Sequence, residues 1–405
     1  MIRLPGKQTP TPPSPGKVAL LLNGGGISAA AYEIGCLAAL DRTFGAGFCA
    51  RTFDMYVGVS AGAVVATLAA NAVSAETVRR DILRDRDSAF NFQRSDIYGV
   101  DYGGTISKCW SALRRLTSVL YSYRRDGVDF SVFDLIDVMQ ELLPSGLFSL
   151  EPFERFLAES LRQEELCNVF EDLRGELYIP AIDLDRGCRV VFGEPGERDV
   201  RVSQAITASC AIPAFFRPYR IGDRSFIDGA MGGHCHLDVA VEHGATLLFV
   251  VNPLVPIDMG DDQAQIPALA KEGAVNVADM GITFVGDQAV RILGRDRLEA
   301  SLRLVATARP DVQVILIEPS RDEPLLFVHS PMSFEGRPRI LQYAYDSTLR
   351  DLEKHGPAIR ALLGDRGRPM PDAPDATLPG SAPEPGAGVA TTVEPALGGN
   401  PTVVR

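Results

Sequence analysis

The chain has 405 residues, 46% of them hydrophobic, and a formal net charge of -12 at pH 7. An acidic chain without a Lys/Arg-rich run is a poor electrostatic match for DNA or RNA, so no nucleic-acid partner is expected. The seven cysteines (Cys36, Cys49, Cys109, Cys167, Cys188, Cys210, Cys235) are odd in number, scattered and without a CxxC pair, which argues against a disulfide framework and for a reducing compartment.

Thirteen of the 28 prolines fall in residues 1–16 and 366–405. Such Pro/Gly/Ala-rich ends have no apolar periodicity with which to bury a core. The expected organisation is a flexible N-terminal segment 1–16, one body 17–365 with a helical insertion at about 76–160, and a disordered tail 366–405. The first residues, MIRLPGKQTPTPPSPGK, lack the apolar core of a signal peptide, and a cytoplasmic location is expected.

In chain order, 17–23 (KVALLLN) is the short apolar run of a buried parallel strand. It enters Gly24-Gly25-Gly26, and 27–41 follows with helical composition. A second strand is expected at 53–59 and a small-residue apolar helix at 61–71. Residues 55–75 carry no charge over 21 positions, long enough to span a bilayer, but Gly58, Ser60, Gly62 and Asn71 make the stretch a buried strand, tight turn and buried helix. Strand, turn and helix thus occur twice, the signature of an α/β fold with a mostly parallel sheet between helices. Residues 76–160 read mostly as helix, broken at Leu143-Pro144-Ser145-Gly146. Further strands are expected at 177–182, 188–192, 225–227, 246–251 and 312–317, and helices at 203–210, 266–308 and 338–363.

Gly58-Val59-Ser60-Ala61-Gly62 is a G-x-S-x-G between an apolar strand and an apolar helix. A serine at such a turn projects its hydroxyl out of the fold, and small neighbours are needed because the backbone is crowded. Without chemistry the same motif is a turn with a buried serine. The three glycines 24–26, opening a helix, leave N–H groups free for an anion, either a phosphate or an oxyanion. Gly24-x-Gly26-x-x-Ala29 also satisfies a dinucleotide fingerprint. That reading needs an acidic residue about 20 positions on, and Asp54 comes too late for it. Asp228-Gly229-Ala230 places a carboxylate just after a strand.

These three motifs in order resemble the patatin-like phospholipases. The segment Ala208-Ser209-Cys210-Ala211-Ile212-Pro213 followed by Phe216 is similar to what that family carries ahead of its aspartate. The resemblance covers residues 17–260 well and implies a three-layer patatin-like hydrolase fold. It implies a Ser-Asp dyad without histidine: Ser60 as the acylated nucleophile, Asp228 as general base, and Gly24, Gly25 and Gly26 as the oxyanion hole, with Gly58, Gly62 and Gly229 as motif glycines. Fatty-acyl esters of phospholipids or lysophospholipids would be cleaved through an acyl-enzyme, with no metal or other cofactor. The family loop carries Arg or Lys two residues after the third glycine, where this chain has Ser28, and an Asn and a Pro where this chain has 233–237 (GHCHL).

Three other readings stay open on the residues. His234, His236 or His329 could complete a Ser-His-Asp triad, His234-Cys235-His236 could hold a metal, and the chain could bind lipid or nucleotide without turnover. The spacing of a single residue between the histidines is poor for metal ligation. Residues 106–125 contain five basic residues and no acidic one. They read as a helix packed on the body with a solvated basic face, or alternatively as a peripheral contact with an anionic membrane.

Overall fold

The structure is a computed structural model and describes residues 1–4, 16–85, 88, 91–97, 114, 125, 145–233, 235–258, 276–321, 323–328 and 331–368. Its centre is a nine-stranded mixed sheet. The strands are β1 (Ile2–Arg3), β2 (Lys17–Leu22), β3 (Met55–Gly58), β5 (Glu176–Asp183), β6 (Cys188–Phe192), β8 (Tyr219–Ile221), β9 (Arg224–Asp228), β10 (Ala245–Val251) and β11 (Gln313–Ile317), in spatial order β1-β11-β10-β2-β3-β5-β9-β8 with β6 also on β5. The run β11-β10-β2-β3-β5 is parallel, and β1, β6, β8 and β9 add antiparallel pairs. A separate parallel pair joins β4 (Gly146–Phe148) to β7 (Ala214–Phe216).

The interior strands are buried on both faces, which is why they appear in the sequence as unbroken apolar runs. Their alternate residues enter different cores. Leu20, Leu22, Tyr56, Phe249 and Val251 pack with the helices α1 (Gly26–Phe44), α3 (Ala61–Ala70) and α11 (Arg337–Gly364). Ala19, Leu21, Met55, Val57, Leu248 and Val250 pack with α8 (Leu237–Glu242) and α9 (Ile282–Ala308). The result is the expected three-layer α/β arrangement. Helix α2 (Phe48–Arg51) follows α1; α4 (Ala75–Leu83), α5 (Arg94–Ile97), α6 (Glu151–Gln163), α7 (Val202–Ser209) and the short α10 (Leu325–Val328) complete the described helices. None of these is long and apolar enough to cross a membrane, and the charge-free stretch 55–75 is β3, a turn and α3.

Three boundaries differ from expectation. The N-terminal segment opens as part of the sheet: Ile2 is buried and pairs with Ile317, and Arg3 forms an ion pair with Glu318. A two-residue strand is too short to show periodicity, and its tertiary contacts alone define it. At the other end, Arg366 is buried, donating to the Thr246 carbonyl at 3.2 Å and to Gln313 Oε1 at 2.8 Å, and Arg368 pairs with Asp54. The body therefore extends to 368. The break at 143–146 leads into β4, where Gly146 lies against the Phe216 backbone. Residues 106–125 lie outside the described residues, apart from Arg114 and Arg125, which are helical.

Candidate active site

The end of β3 delivers Ser60 at a crowded turn. Its backbone sits at φ 53° and ψ -125°, a conformation that an L-residue holds only where the surroundings impose it. α3 starts at the next residue, and Ser60 itself is buried. Crowding comes from the neighbouring turn. A Cβ on Gly24 would lie 2.6 Å from Ser60 Cβ, so only glycine lets the two strand-to-helix turns touch. Gly58, Gly62 and Gly229 are each pressed against other groups: Ala63, the Leu22 carbonyl and the Pro180 carbonyl respectively.

The sheet register brings the aspartate to the serine. Val57 pairs with Tyr178 on β5, and Asp228 pairs with Ala181 three residues further along the same strand. Ser60 is likewise three residues beyond Val57. The two are therefore brought together, and the Ser60 side chain draws the Asp228 carboxyl's affinity for a proton down. Oδ1 of Asp228 also accepts from the Ala230 N–H at 2.9 Å. Burial pushes the Asp228 carboxyl up from 3.8 to about 6, with the Ser60 side chain and the bond from the Ala230 N–H acting against that rise. The Cys210 thiol, which lines the same cavity as Ser60, is pushed well up by burial and kept neutral.

Two supports were not assigned a role from the sequence. The Ser60 N–H donates to Ser209 Oγ at 2.9 Å, and the Ser209 hydroxyl donates to the Pro180 carbonyl at 2.7 Å, tying the Ser60 turn to β5. Under the glycine loop, Asn23 Nδ2 donates to Asn252 Oδ1 at 3.0 Å, and Asn252 Nδ2 donates to Glu318 Oε1 at 2.8 Å. Ser209 lies in the segment 208–213 singled out above. Asn252, one residue past an apolar strand, gave no signal.

Gly25 and Gly26 hold positive φ and open α1, a helix of 19 residues whose N-terminal end concentrates positive partial charge. Ser28, standing where a basic residue was expected, is buried, and its N–H donates to the Pro331 carbonyl at 3.1 Å. Beside Ser60 lies a narrow apolar cavity of about 50 Å³, lined by Ile27, Val64, Phe153, Phe216 and Met332 among others. A second apolar cavity of about 40 Å³ shares Ala30, Val64 and Phe92 with the first.

His236 serves elsewhere. Its Nδ1 accepts from Arg189 Nη1 at 3.1 Å, which leaves Nε2 to donate to the Gly229 carbonyl at 3.2 Å, bracing the Asp-Gly turn from behind. His234 and His329 lie outside the described residues. Among the described residues no group of three His, Cys, Asp or Glu is placed to hold a metal ion. Asp54 Oδ2 accepts from the Val18 N–H at 2.9 Å, near the start of β2 and so at the end of the strand remote from the glycine loop, where a nucleotide ribose would not reach it.

The family model described as patatin-like phospholipase matches residues 20–241. Among solved structures, VipD from Legionella pneumophila is similar at 16% identity, with 87% of this chain and 70% of that chain covered and a TM-score of 0.32.

Proposed function

The chain belongs to the patatin-like phospholipase family, and from that membership we propose that it is a serine lipid acyl hydrolase working through a Ser60–Asp228 dyad. The observation that carries this reading is a buried aspartate, raised to about 6, that the sheet register brings to a serine held at a strained turn. A carboxylate with that affinity for a proton can serve as general base near neutral pH.

Ser60 Oγ attacks the acyl carbonyl carbon while its proton passes to Asp228. The oxyanion is held by N–H groups of Gly24, Gly25 and Gly26, which need no reorganisation during the reaction. Collapse of the tetrahedral intermediate expels the alcohol, which takes the proton back from Asp228, and leaves an ester on Ser60. Water, deprotonated by Asp228, then attacks that ester, and Asp228 returns the proton to Ser60 Oγ as the fatty acid leaves. The apolar cavity beside Ser60 receives the acyl chain, and the substrates are fatty-acyl esters of phospholipids or lysophospholipids. Neither step draws on a metal.

A triad through His236 is not favoured, because both its ring nitrogens bond elsewhere. The test is incubation of wild type and Ser60→Ala with a mixed lipid extract, read by mass spectrometry. Free fatty acid and its lyso- or glycerol-phosphate partner are expected from wild type only. Equal release by Ser60→Ala would refute the assignment.

A further inference from the structure

Helix α9 is inside-out over its first three turns. The two charged side chains there, Asp287 and Arg291, face the protein. Arg291 is 3% exposed; it donates to Asp287 Oδ2 at 2.7 Å, to the Val255 carbonyl at 3.2 Å and to the Leu326 carbonyl at 2.9 Å. The apolar side chains face outward: Ile282 is 90% exposed, Val285 44%, Val290 50%, Ile292 48% and Leu293 53%. At 100° per residue, positions 282, 285, 289, 292 and 293 share one face. Beyond Arg295 the usual pattern returns, with Asp296, Arg297 and Arg303 exposed and Leu298 and Val305 buried. A surface helix normally turns its apolar stripe inward, and a contiguous exposed apolar patch marks a contact surface.

The location of this patch narrows its partner. Gln288 bonds both the N–H and the carbonyl of Ile257, at 3.1 and 2.8 Å. Leu254, in the same loop, packs against Gly25. The Arg291 bond to Leu326 anchors the helix to the segment whose Pro331 carbonyl meets the first turn of α1. On the other side, Arg297 holds the carbonyl of Met231, three residues past Asp228 and itself 43% exposed. The helix that carries the outward apolar face is thus tied to the loop that packs on Gly25 and to the Asp228 turn.

We propose that the first three turns of α9 dock on the surface of a zwitterionic lipid bilayer and bring the Ser60 cavity to it. The proposal rests on the lipid hydrolase reading. An acyl chain bound for a narrow buried cavity must leave the bilayer without crossing water, and an apolar face on a helix tied to both site turns would hold the bilayer against the protein on that side. The face carries no charge, so insertion of Ile, Val and Leu side chains at the headgroup boundary drives it, with little dependence on salt or anionic lipid.

The test uses the full chain in a Ser60→Ala background, so that binding is read without turnover, with phosphatidylcholine vesicles and co-sedimentation. Ile292→Asp/Leu293→Asp should weaken partition about tenfold or more, with little effect of salt on the wild-type value. In the catalytically intact protein the same pair should lower vesicle hydrolysis in parallel, leaving hydrolysis of a soluble short-chain ester within about twofold. If the paired aspartates also depress soluble-ester hydrolysis, Ile282→Ser/Val285→Ser replaces them with the same expectation. Unchanged partition in both variants overturns the proposal. So does a dimeric wild type that these variants convert to monomer while vesicle binding persists, which would make the face a contact between two copies. Failure of the hydrolase reading would show separately, as no ester cleavage by any form while partition still responds to the substitutions.

Discussion

At the scale of the residue, the chemistry turns on how much Asp228 resists ionisation. Its carboxyl is raised from 3.8 to about 6 by burial. Only the ionised form can take the Ser60 proton, so hydrolysis of a soluble ester should rise with pH through a midpoint near 6 and then level off. The same shift has a stability cost of opposite sense. A carboxyl whose folded pKa lies above its unfolded value stabilises the fold fully below about pH 4, and this is lost as pH rises to about 6. Asp228→Asn, which keeps an acceptor for the Ala230 N–H, should abolish hydrolysis yet raise thermal stability above pH 6, by an amount on the order of 2–3 kcal/mol. The gap should close near pH 4, as a melting-temperature series against pH would record. Ser60 and the three glycines were legible in the sequence because their backbone conformations and close approaches admit few residue types, and Asp228 through the Gly229 that follows it, pressed on the Pro180 carbonyl. Ser209 and Cys210 were visible only as part of a segment. Their contact with Ser60 arises from α7 folding against β5, a relation the sequence does not order locally.

At the scale of the element, β5 is the ruler. It pairs with β3 and β9 in a register that places Ser60 and Asp228 at one level, and its Pro180 carbonyl receives Ser209. The interior strands could be read as apolar runs, whereas β4, β7 and β8, three residues each, could not. Helix α1 combines two functions, presenting the glycine loop and filling the core, and Glu33 shows a conflict between them. It sits fully buried in α1, and burial pushes its carboxyl well above 4.5. Folding therefore favours the neutral acid, and stability declines as pH rises above about 4.5. Glu33→Gln should melt higher than wild type at pH 8, with the difference vanishing below about pH 4, and a lower melting point at pH 8 would contradict this. The inversion of charge and apolarity in α9 was also present in the sequence, but composition alone called 266–308 helical without showing which face is outward.

At the scale of the whole molecule, the ends of the body are set by buried contacts and not by composition. The proline-rich boundary at 366 falls short, because Arg366 and Arg368 hold Thr246, Gln313 and Asp54 near the starts of β10, β11 and β3. Removal of 369–405 should leave melting temperature and activity at wild-type levels, whereas removal of 366–405 should cost about 2 kcal/mol or more by stripping charged hydrogen bonds from carbonyl and carboxylate partners. Denaturant unfolding of the two truncations decides between the boundaries.

Activation of Ser60 by Asp228 can be read out by covalent labelling. Wild type, Ser60→Ala and Asp228→Asn are treated with a long-chain alkyl fluorophosphonate at pH 8, and the labelled peptide is identified by mass spectrometry. One adduct on Ser60 is expected in wild type, none at that position in Ser60→Ala, and labelling slowed about 100-fold or more in Asp228→Asn. Labelling of Ser60 at an equal rate in Asp228→Asn, or no adduct on Ser60 in wild type, would contradict that activation.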